Sequence, residues 1–216
     1  MTLFLNIEIK ELKRKDFNQA RKFAVKGMNL SWYTSNKVEL YLYSKYFWYL
    51  EILKATKALG AYHGEELVGV LLADMYEKPK VYHSFWANLF VRLAGQIIQL
   101  SYGSASSEYE QANKEMLVNF LQRKEPDGEI NFFAVNPEIK GQGIGTKILN
   151  QFEKLEAGSL VYLYTDSGST YPFYLRRGFI EEDSRKVALE IANKDVPLTC
   201  FLFSKRLGVE KILDEE

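Results

Sequence analysis

The sequence predicts a single α/β domain, and three observations predict it. Apolar patterns typical of strands and of helices alternate along the chain. A glycine-dense stretch, residues 136–147, lies between a strand-like run and a helix-like run. The length of 216 residues, 47% of them hydrophobic, suits one substantial core. Because the chain is long for one compact domain and short for two, we expect one domain over residues 1–216 with an insertion.

A strand and then a helix open the predicted fold. Residues 3–12 alternate apolar and polar side chains, and Asp16 is expected to cap a helix that runs to Gly27. Residues 38–57 form a second predicted helix that is rich in aromatic rings. Its apolar stripe is predicted to consist of Leu42, Tyr46, Tyr49, Ile52 and Leu53. These rings either fill the core or line a binding pocket.

A β-hairpin follows the second helix. Its predicted arms are Ala58 to Tyr62 and Leu67 to Tyr76, with a polar turn at residues 63–66. We expect His63 to be a solvated turn residue rather than a base, and His83 is equally isolated in sequence. The sequence therefore gives no indication of a histidine-based catalytic site.

Residues 77–128 are predicted to form a helical insertion. The first helix carries apolar residues at helical spacing: Phe85, Leu89, Leu93, Ile97 and Leu100. Arg92 lies in the middle of this run, and a central arginine costs about 3 kcal/mol in a bilayer, so we predict an amphipathic helix that covers the core or a partner subunit. A second helix is predicted over residues 110–124, ending before the Pro-Asp-Gly at 126–128.

The glycine-dense loop joins a strand at residues 129–135 to a helix that begins near Thr146. The helix is predicted from the spacing of Ile148, Leu149, Phe152 and Leu155. The first amides of a helix lack intrahelical partners and attract anions, and glycines let a phosphate approach the backbone. The loop is therefore either a phosphate cradle or a plain turn. Its glycine spacing fits neither a P-loop nor the dinucleotide-binding fingerprint.

Two motifs in this region resemble a known family. The loop reads Lys140-Gly141-Gln142-Gly143-Ile144-Gly145, and downstream the chain has Phe173-Tyr174-x-x-x-Gly178-Phe179. Together they are similar to the pyrophosphate loop and the following helix of the GNAT superfamily of acyl-CoA-dependent N-acyltransferases. In that family Lys140 would be Arg or Gln, and an Asn often stands where this chain has Ser167. The resemblance covers residues 129–179.

The resemblance implies a central mixed sheet flanked by helices, with the two-helix insertion before the cofactor strand. It implies acetyl-CoA as cosubstrate, with the pantetheine arm between splayed strands and no metal ion. The implied cofactor-binding residues are Phe133, Val135, Lys140, Gly141, Gln142, Gly143, Ile144, Gly145, Thr146 and Ser167. Among them Phe133 and Val135 would pair through their backbone with the pantetheine amides.

The resemblance also implies catalytic roles for two residues. Glu129 opens the cofactor strand where the histone-acetylating branch has a general base, although it could equally be a solvated strand-edge carboxylate. Tyr174 stands where the family's general acid stands, although it could be a core aromatic residue. The amide of Val135 is a candidate for polarising the thioester carbonyl.

The composition of the chain limits the classes of binding partner and the cellular compartment that we expect. With 28 basic and 28 acidic residues, no net field favours nucleic acid or an anionic membrane, so we expect neither as a partner. Cys200 is the only cysteine and lies in an apolar strand-like run, so we expect a core thiol rather than a nucleophile. The charged start of the chain lacks the apolar segment of a secretory peptide, which predicts a cytoplasmic location.

The remaining predictions concern the chain end and the function. Two last strands are predicted at residues 186–191 and 198–204, with a polar tail from residue 208. We predict an N-acetyltransferase acting on a primary amine of unknown identity, with a homodimer as a possible assembly. The alternatives are a non-catalytic acyl-CoA sensor or scaffold and an ordinary nucleotide-binding protein.

Overall fold

A computed structural model describes residues 6–27, 36–102, 105–139, 141–191 and 194–208. Across these residues seven strands form one sheet: β1 (Ile7–Glu11), β2 (Lys57–His63), β3 (Glu66–Met75), β4 (Gly128–Val135), β5 (Leu160–Asp166), β6 (Ile180–Ile191) and β7 (Lys194–Arg206). Their order is β1-β2-β3-β4-β5-β7-β6. The β4–β5 pair is parallel and the other neighbouring pairs are antiparallel. The predicted mixed sheet is confirmed.

Six helices flank the sheet in the described part of the chain: α1 (Phe17–Gly27), α2 (Lys37–Lys54), α3 (Phe85–Tyr102), α4 (Ala105–Leu121), α5 (Ile144–Leu155) and α6 (Pro172–Leu175). Helices α3 and α4 both lie between β3 and β4, in the segment where the sequence predicts two helices. None of the described helices is both long and apolar enough to cross a membrane.

The helices form two unequal layers. Helix α5 covers one face, where Ile148 and Phe152 are fully buried against β2, β3 and β5. On the other face α1 and α2 cover β2 to β4 around Trp48 and Phe132, and α4 covers β5 and β7 around Phe120. The second face is therefore covered by helices from two distant parts of the sequence.

Local sequence signals predicted the hairpin and the entry into α5 well. The strands β2 and β3 turn at Gly64 and Glu65, and Gly64 has a φ of +61°, which glycine adopts without strain. The helix after the glycine loop buries Ile148, Leu149 and Phe152 as predicted, whereas Leu155 is exposed.

The predicted apolar stripe of α2 is correct at Ile52 and Tyr49, which pack in the core, and wrong at Leu42. Leu42 is 47% exposed, and the buried positions include Ser44, Trp48 and Ile52. The small Ser44 allows α1 to approach, because Nη1 of Arg21 donates to its hydroxyl at 2.7 Å. Helix α2 therefore meets α1 both through the small Ser44 and through the Trp48 ring, whose centroid lies 5.3 Å from that of Phe17.

Of the two alternatives for the apolar stripe of α3, the core or a partner subunit, the structure does not support the core. Phe85 and Trp86 are 74% and 75% exposed, and Leu89, Leu93 and Ile97 are exposed as well, whereas the side chain of Leu100 lies outside the described residues. The helix packs on α2 at Gly95, where a Cβ would lie 3.4 Å from Tyr46 Oη, and through Phe90, whose ring centroid is 5.9 Å from that of Tyr49. The stripe that carries Phe85, Leu89 and Leu93 is left exposed.

Three smaller differences concern the ends of elements. Asp16 ends a 3₁₀ turn and accepts a hydrogen bond from Tyr62 Oη at 2.9 Å, and no cap of α1 by its side chain is seen. Strand β6 begins six residues earlier than predicted, and β7 extends to Arg206. Residues 3–5 of the first predicted strand and residues 209–216 of the predicted tail lie outside the described residues.

Candidate active site

The strands β4 and β5 separate soon after they meet. In the described strands they pair over two residues, Gly128 with Val161 and Glu129 with Tyr162, although β4 continues to Val135. Beyond these pairs an open slot lies between two neighbouring strands of one sheet.

A bulge in β4 accompanies the separation. Phe132 lies opposite Leu72 and Glu129 lies opposite Asp74, so three steps along β4 match two steps along β3. An extra residue in one strand bends it and increases its twist. The bulge lies directly after the two residues of β4 that pair with β5.

Backbone groups of β4 face the slot. The Asn136 N–H donates to Val68 O at 2.8 Å, so this residue faces β3. Because alternate residues of a strand direct their N–H and C=O groups to the same neighbour, Phe133 and Val135 face the opposite way, towards β5. The slot thus presents amides and carbonyls that a strand-like ligand could pair with.

The glycine loop leads into α5 with unusual backbone angles. Gly141 has a φ of +78° and Gly143, the N-cap of α5, has a φ of +68°. A Cβ at either position would meet no atom within 4 Å, so both glycines border open space. No side chain caps the helix start, which leaves its first amides directed at that space. Lys140 lies outside the described residues.

The third glycine of the loop has a packing role. A Cβ at Gly145 would lie 3.4 Å from the Phe173 ring, so the glycine admits the ring against the start of α5. The adjacent Thr146 hydroxyl accepts a hydrogen bond from Arg177 at 2.5 Å. The side-chain oxygen of Gln142 is buried and has no hydrogen-bond partner within the described part of the protein.

Tyr174 lies in an aromatic cluster beside the slot. Its ring centroid is 6.2 Å from that of Phe133, 5.4 Å from Phe173 and 5.6 Å from Phe179. Burial raises the pKa of the Tyr174 phenol. The phenol therefore stays protonated at neutral pH and can act as a proton donor.

Glu129 lies on the other face of the sheet, within a polar cluster. Its carboxylate accepts a hydrogen bond from Tyr162 Oη at 3.3 Å. Burial raises the pKa of Glu129 to about 7, and the nearby carboxylate of Glu51 adds to this shift. The ammonium of Lys54 and the hydrogen bond from Tyr162 act in the opposite direction. A carboxylate with this pKa is both ionised and basic near neutral pH.

A second carboxylate, that of the buried Glu51 of α2, borders this cluster. Nδ2 of Asn131 donates both to the Glu51 carboxylate at 2.7 Å and to its main-chain oxygen at 3.0 Å. Burial raises the pKa of Glu51. The oxygen Oδ1 of Asn131 is buried without a partner among the described residues. The amide thus ties α2 to the bulged part of β4.

Two other sequence-predicted residues lie apart from the cluster around Glu129. Ser167 is exposed, its N–H donates to Thr199 O at 2.9 Å, and its hydroxyl accepts from Thr199 N–H at 3.0 Å. Cys200 is fully buried beneath α4, and burial raises the pKa of its thiol to about 12. The core-thiol interpretation of Cys200 is confirmed.

A comparison with family models finds one region of similarity. Residues 89–181 match the model described as the acetyltransferase (GNAT) domain. Over these residues the chain is similar to the GNAT superfamily. The matched range includes the glycine loop and Tyr174, so the resemblance read from the motifs is confirmed. The chemistry of the GNAT domain is acetyl transfer.

Solved structures share the fold of this chain. A structure named as a histone acetyltransferase HPA2 and related acetyltransferase, from Corynebacterium glutamicum, is 15% identical with a TM-score of 0.53, covering 95% of this chain and 99% of the other. An arylalkylamine N-acetyltransferase 7 from the mosquito Aedes aegypti is 15% identical with a TM-score of 0.57, at 93% and 87% coverage. A GCN5-related N-acetyltransferase from Rhodopseudomonas palustris is 13% identical with a TM-score of 0.50, at 95% and 99% coverage. No curated protein matches the sequence significantly.

Sequence reasoning missed the residues that surround Glu129 in this chain. Tyr76 Oη lies 3.0 Å from Tyr162 Oη, 86 positions away in sequence. The sequence did contain one relevant pattern. Tyr162 and Tyr164 are two residues apart in a strand-like run, so their side chains lie on the same face of the strand. Glu51 gave no signal, since a lone carboxylate in an aromatic helix predicts a solvated residue.

Proposed function

We propose that this chain is an N-acetyltransferase that transfers an acetyl group from acetyl-CoA to a primary amine by direct attack. We further propose that residues 1–216 form one such domain and that residues 77–128 are an insertion before the cofactor strand. The observation that carries the proposal is the slot between β4 and β5, which opens beside the glycine loop at the start of α5.

The residues around the slot fit acetyl-CoA. The open space at Gly141 and Gly143 is the space a pyrophosphate needs, and the helix dipole favours an anion there. The amides of Gln142, Ile144, Gly145 and Thr146 would complete this cradle, to which Lys140 would add a main-chain amide. The slot-facing backbone of Phe133 and Val135 would hold the pantetheine arm, with Ser167 at its edge.

Three groups of the chain would then serve the reaction. Acetyl-CoA supplies the thioester that the amine attacks. Glu129 takes a proton from the attacking ammonium, which its pKa of about 7 allows. Tyr174 donates a proton to the departing thiolate, and the Val135 amide donates a hydrogen bond to the carbonyl oxygen.

A pair of glycine variants tests the cradle. Gly143→Glu places a carboxylate where the phosphates would bind, so calorimetry should show acetyl-CoA binding lost. Gly158→Glu is the matched control, because Gly158 also has a positive φ, of +89°, and open space, but lies beyond the C-terminal end of α5. Equal affinity in the Gly143 variant and the parent would show that the cradle is misplaced.

Turnover separates the catalyst from a non-catalytic acyl-CoA binder. The parent protein is given acetyl-CoA and a panel of primary amines, and free thiol is measured. We expect amine-dependent thiol release. Tight acetyl-CoA binding with no release for any amine would refute the catalytic assignment, and binding of ATP in competition with acetyl-CoA would indicate a general nucleotide site.

A further inference from the structure

We propose that Tyr162 and Tyr76 form a proton relay that carries the proton accepted by Glu129 out to solvent. The inference rests on the proposed function, in which Glu129 is the general base. Tyr162 and Tyr76 would act through Glu129 and are therefore positioning residues.

The three groups form a continuous hydrogen-bonded chain. Tyr162 Oη donates to Glu129 Oε2 at 3.3 Å, and Tyr76 Oη lies 3.0 Å from Tyr162 Oη. Tyr162 is buried, whereas Tyr76 is 44% exposed at the end of β3. The chain thus runs from a half-buried carboxylate to a hydroxyl in contact with water.

The surroundings hold this chain in place. The Tyr162 ring packs between Phe120 of α4 and Tyr164, with centroids 5.7 Å from each. The backbone of Tyr76 is fixed by its N–H, which donates to Asp127 O at 2.8 Å. Fixed rings keep the two hydroxyls within hydrogen-bond distance of each other.

The other polar groups near Glu129 do not lead its proton outward. On α2, Glu51 is buried and bonded to Asn131, and Lys54 lies 3.9 Å from it. On β3, the Asp74 carboxylate is paired with Lys80 at 2.6 Å. On β5, the structure gives the Tyr164 hydroxyl no hydrogen bond among the described residues, so it lies outside the chain of donors. The tyrosine pair is the connected route.

The proton transfer balances at each atom. The Glu129 carboxylic acid gives its proton to Tyr162 Oη, which gives its own proton to Tyr76 Oη, which releases a proton to water. Each hydroxyl gains one proton and loses one, so neither carries a net charge afterwards. Glu129 is left ionised and ready for the next amine.

Kinetics of three single-hydroxyl deletions test the relay. Tyr162→Phe and Tyr76→Phe each keep the ring and should lower kcat by roughly 10- to 100-fold in dilute buffer. Adding imidazole as an external proton acceptor should restore much of the loss. Tyr164→Phe, on the same strand and outside the chain, should change neither kcat nor its dependence on buffer.

A titration of Glu129 without substrates gives an independent readout. The hydrogen bond from Tyr162 lowers the Glu129 pKa, so Tyr162→Phe should raise it above about 7, as measured by NMR of the labelled carboxyl carbon. Tyr164→Phe should move it less. An unchanged pKa in Tyr162→Phe would refute the hydrogen bond on which the relay depends.

The outcomes separate the relay from the proposed function. If the parent acetylates an amine but both relay variants keep the parent kcat, or lose activity that imidazole does not restore, the relay is wrong and the acetyltransferase assignment stands. If the parent acetylates no amine in the panel, the proposed function fails, and the relay fails with it whatever the titration shows.

Discussion

Burial has opposite chemical uses at the two proposed catalytic residues. It raises the pKa of Glu129 to about 7, so this acid becomes a stronger base while remaining ionised at pH 8. It raises the pKa of Tyr174 above its ordinary value, so this phenol keeps the proton it is to donate. One physical cause therefore prepares a base on one face of the sheet and an acid on the other.

The first prediction concerns Glu129→Gln. The kcat/KM of the parent should rise with pH through about 7 as the carboxylate ionises, whereas the variant should lack this rise and lose about 100-fold in kcat at pH 8. A parent-like pH profile in the variant would assign the ionisation to another group. Initial rates from pH 5.5 to 9 give the comparison.

The same substitution should change stability in a pH-dependent way. The folded pKa of Glu129 lies above its unfolded value, so the parent loses stability as pH rises from about 4.5 to 7. Above pH 7 the loss is at most about 3 kcal/mol, since one pKa unit corresponds to about 1.4 kcal/mol. Urea denaturation should therefore show that the free energy of unfolding of Glu129→Gln, relative to that of the parent, is higher at pH 8 than at pH 4.

The next prediction concerns Tyr174→Phe, which removes the proton donor and keeps the ring. Acetyl-CoA affinity should hold while kcat falls by about 10- to 1000-fold. Tyr171→Phe, the same deletion three residues earlier, is the control, because its ring stacks on Phe201 with centroids 4.8 Å apart. If Tyr174→Phe keeps the parent kcat while chemistry is rate-limiting, solvent is the proton source.

At the scale of elements, the two helices between β3 and β4 have different tasks. Helix α4 buries Met116 and Phe120 against β5 and β7, so it completes the core. Helix α3 rests on α2 and turns Phe85, Trp86 and Leu93 to solvent. Such a contiguous apolar surface is typical of an interaction site.

The prediction for α3 is tested by Leu89→Glu combined with Leu93→Glu. We expect light scattering to show a lower mass than the parent, because the charges would disrupt a dimer that buries this face. Val118→Glu with Leu121→Glu, an equally exposed pair on α4, is the control. An unchanged mass with a raised KM for the amine would assign α3 to the acceptor site. If neither the mass nor the KM changes, α3 only covers α2.

The elements also show how far the sequence could lead. The hairpin turn at Gly64 and the start of α5 after Gly143 depend on neighbouring residues, and both were predicted. The side of α3 that faces the protein depends on the contact between Tyr46 and Gly95, which are about fifty positions apart. The sequence did not predict this side correctly. The contact of Asn131 with Glu51, eighty positions apart, was equally beyond reach, because periodicity carries no information on such pairs.

At the scale of the whole molecule, the sheet is closed on one face by α5 and on the other by helices from both halves of the chain. Cys200 lies fully buried in the middle of β7 beneath α4. Because its thiol has a pKa of about 12, almost none is thiolate at pH 8. The thiol therefore reports on whether α4 remains in place.

The prediction at this scale uses that thiol as a probe. Native protein should leave Cys200 unreactive towards an aromatic disulfide reagent at pH 8, and urea should expose it. Phe120→Ala should lower the free energy of unfolding by about 3 to 5 kcal/mol and speed the labelling, because it leaves a cavity under α4. Val118→Ala, at an exposed position of the same helix, should do neither. Rapid labelling of the native parent would contradict the buried position.

The slot between β4 and β5 passes from one face of the sheet to the other. Phe133 and Tyr174 lie on the α5 side, whereas Glu129 and Tyr162 lie on the side of α2 and α4. An acyl donor and an amine that enter from opposite sides would not compete for space, so both could be held at once. We then expect double-reciprocal plots of initial rate to intersect rather than run parallel, and acetyl-CoA alone to leave the mass of the protein unchanged. Each product would also leave by its own entrance, without waiting for the other.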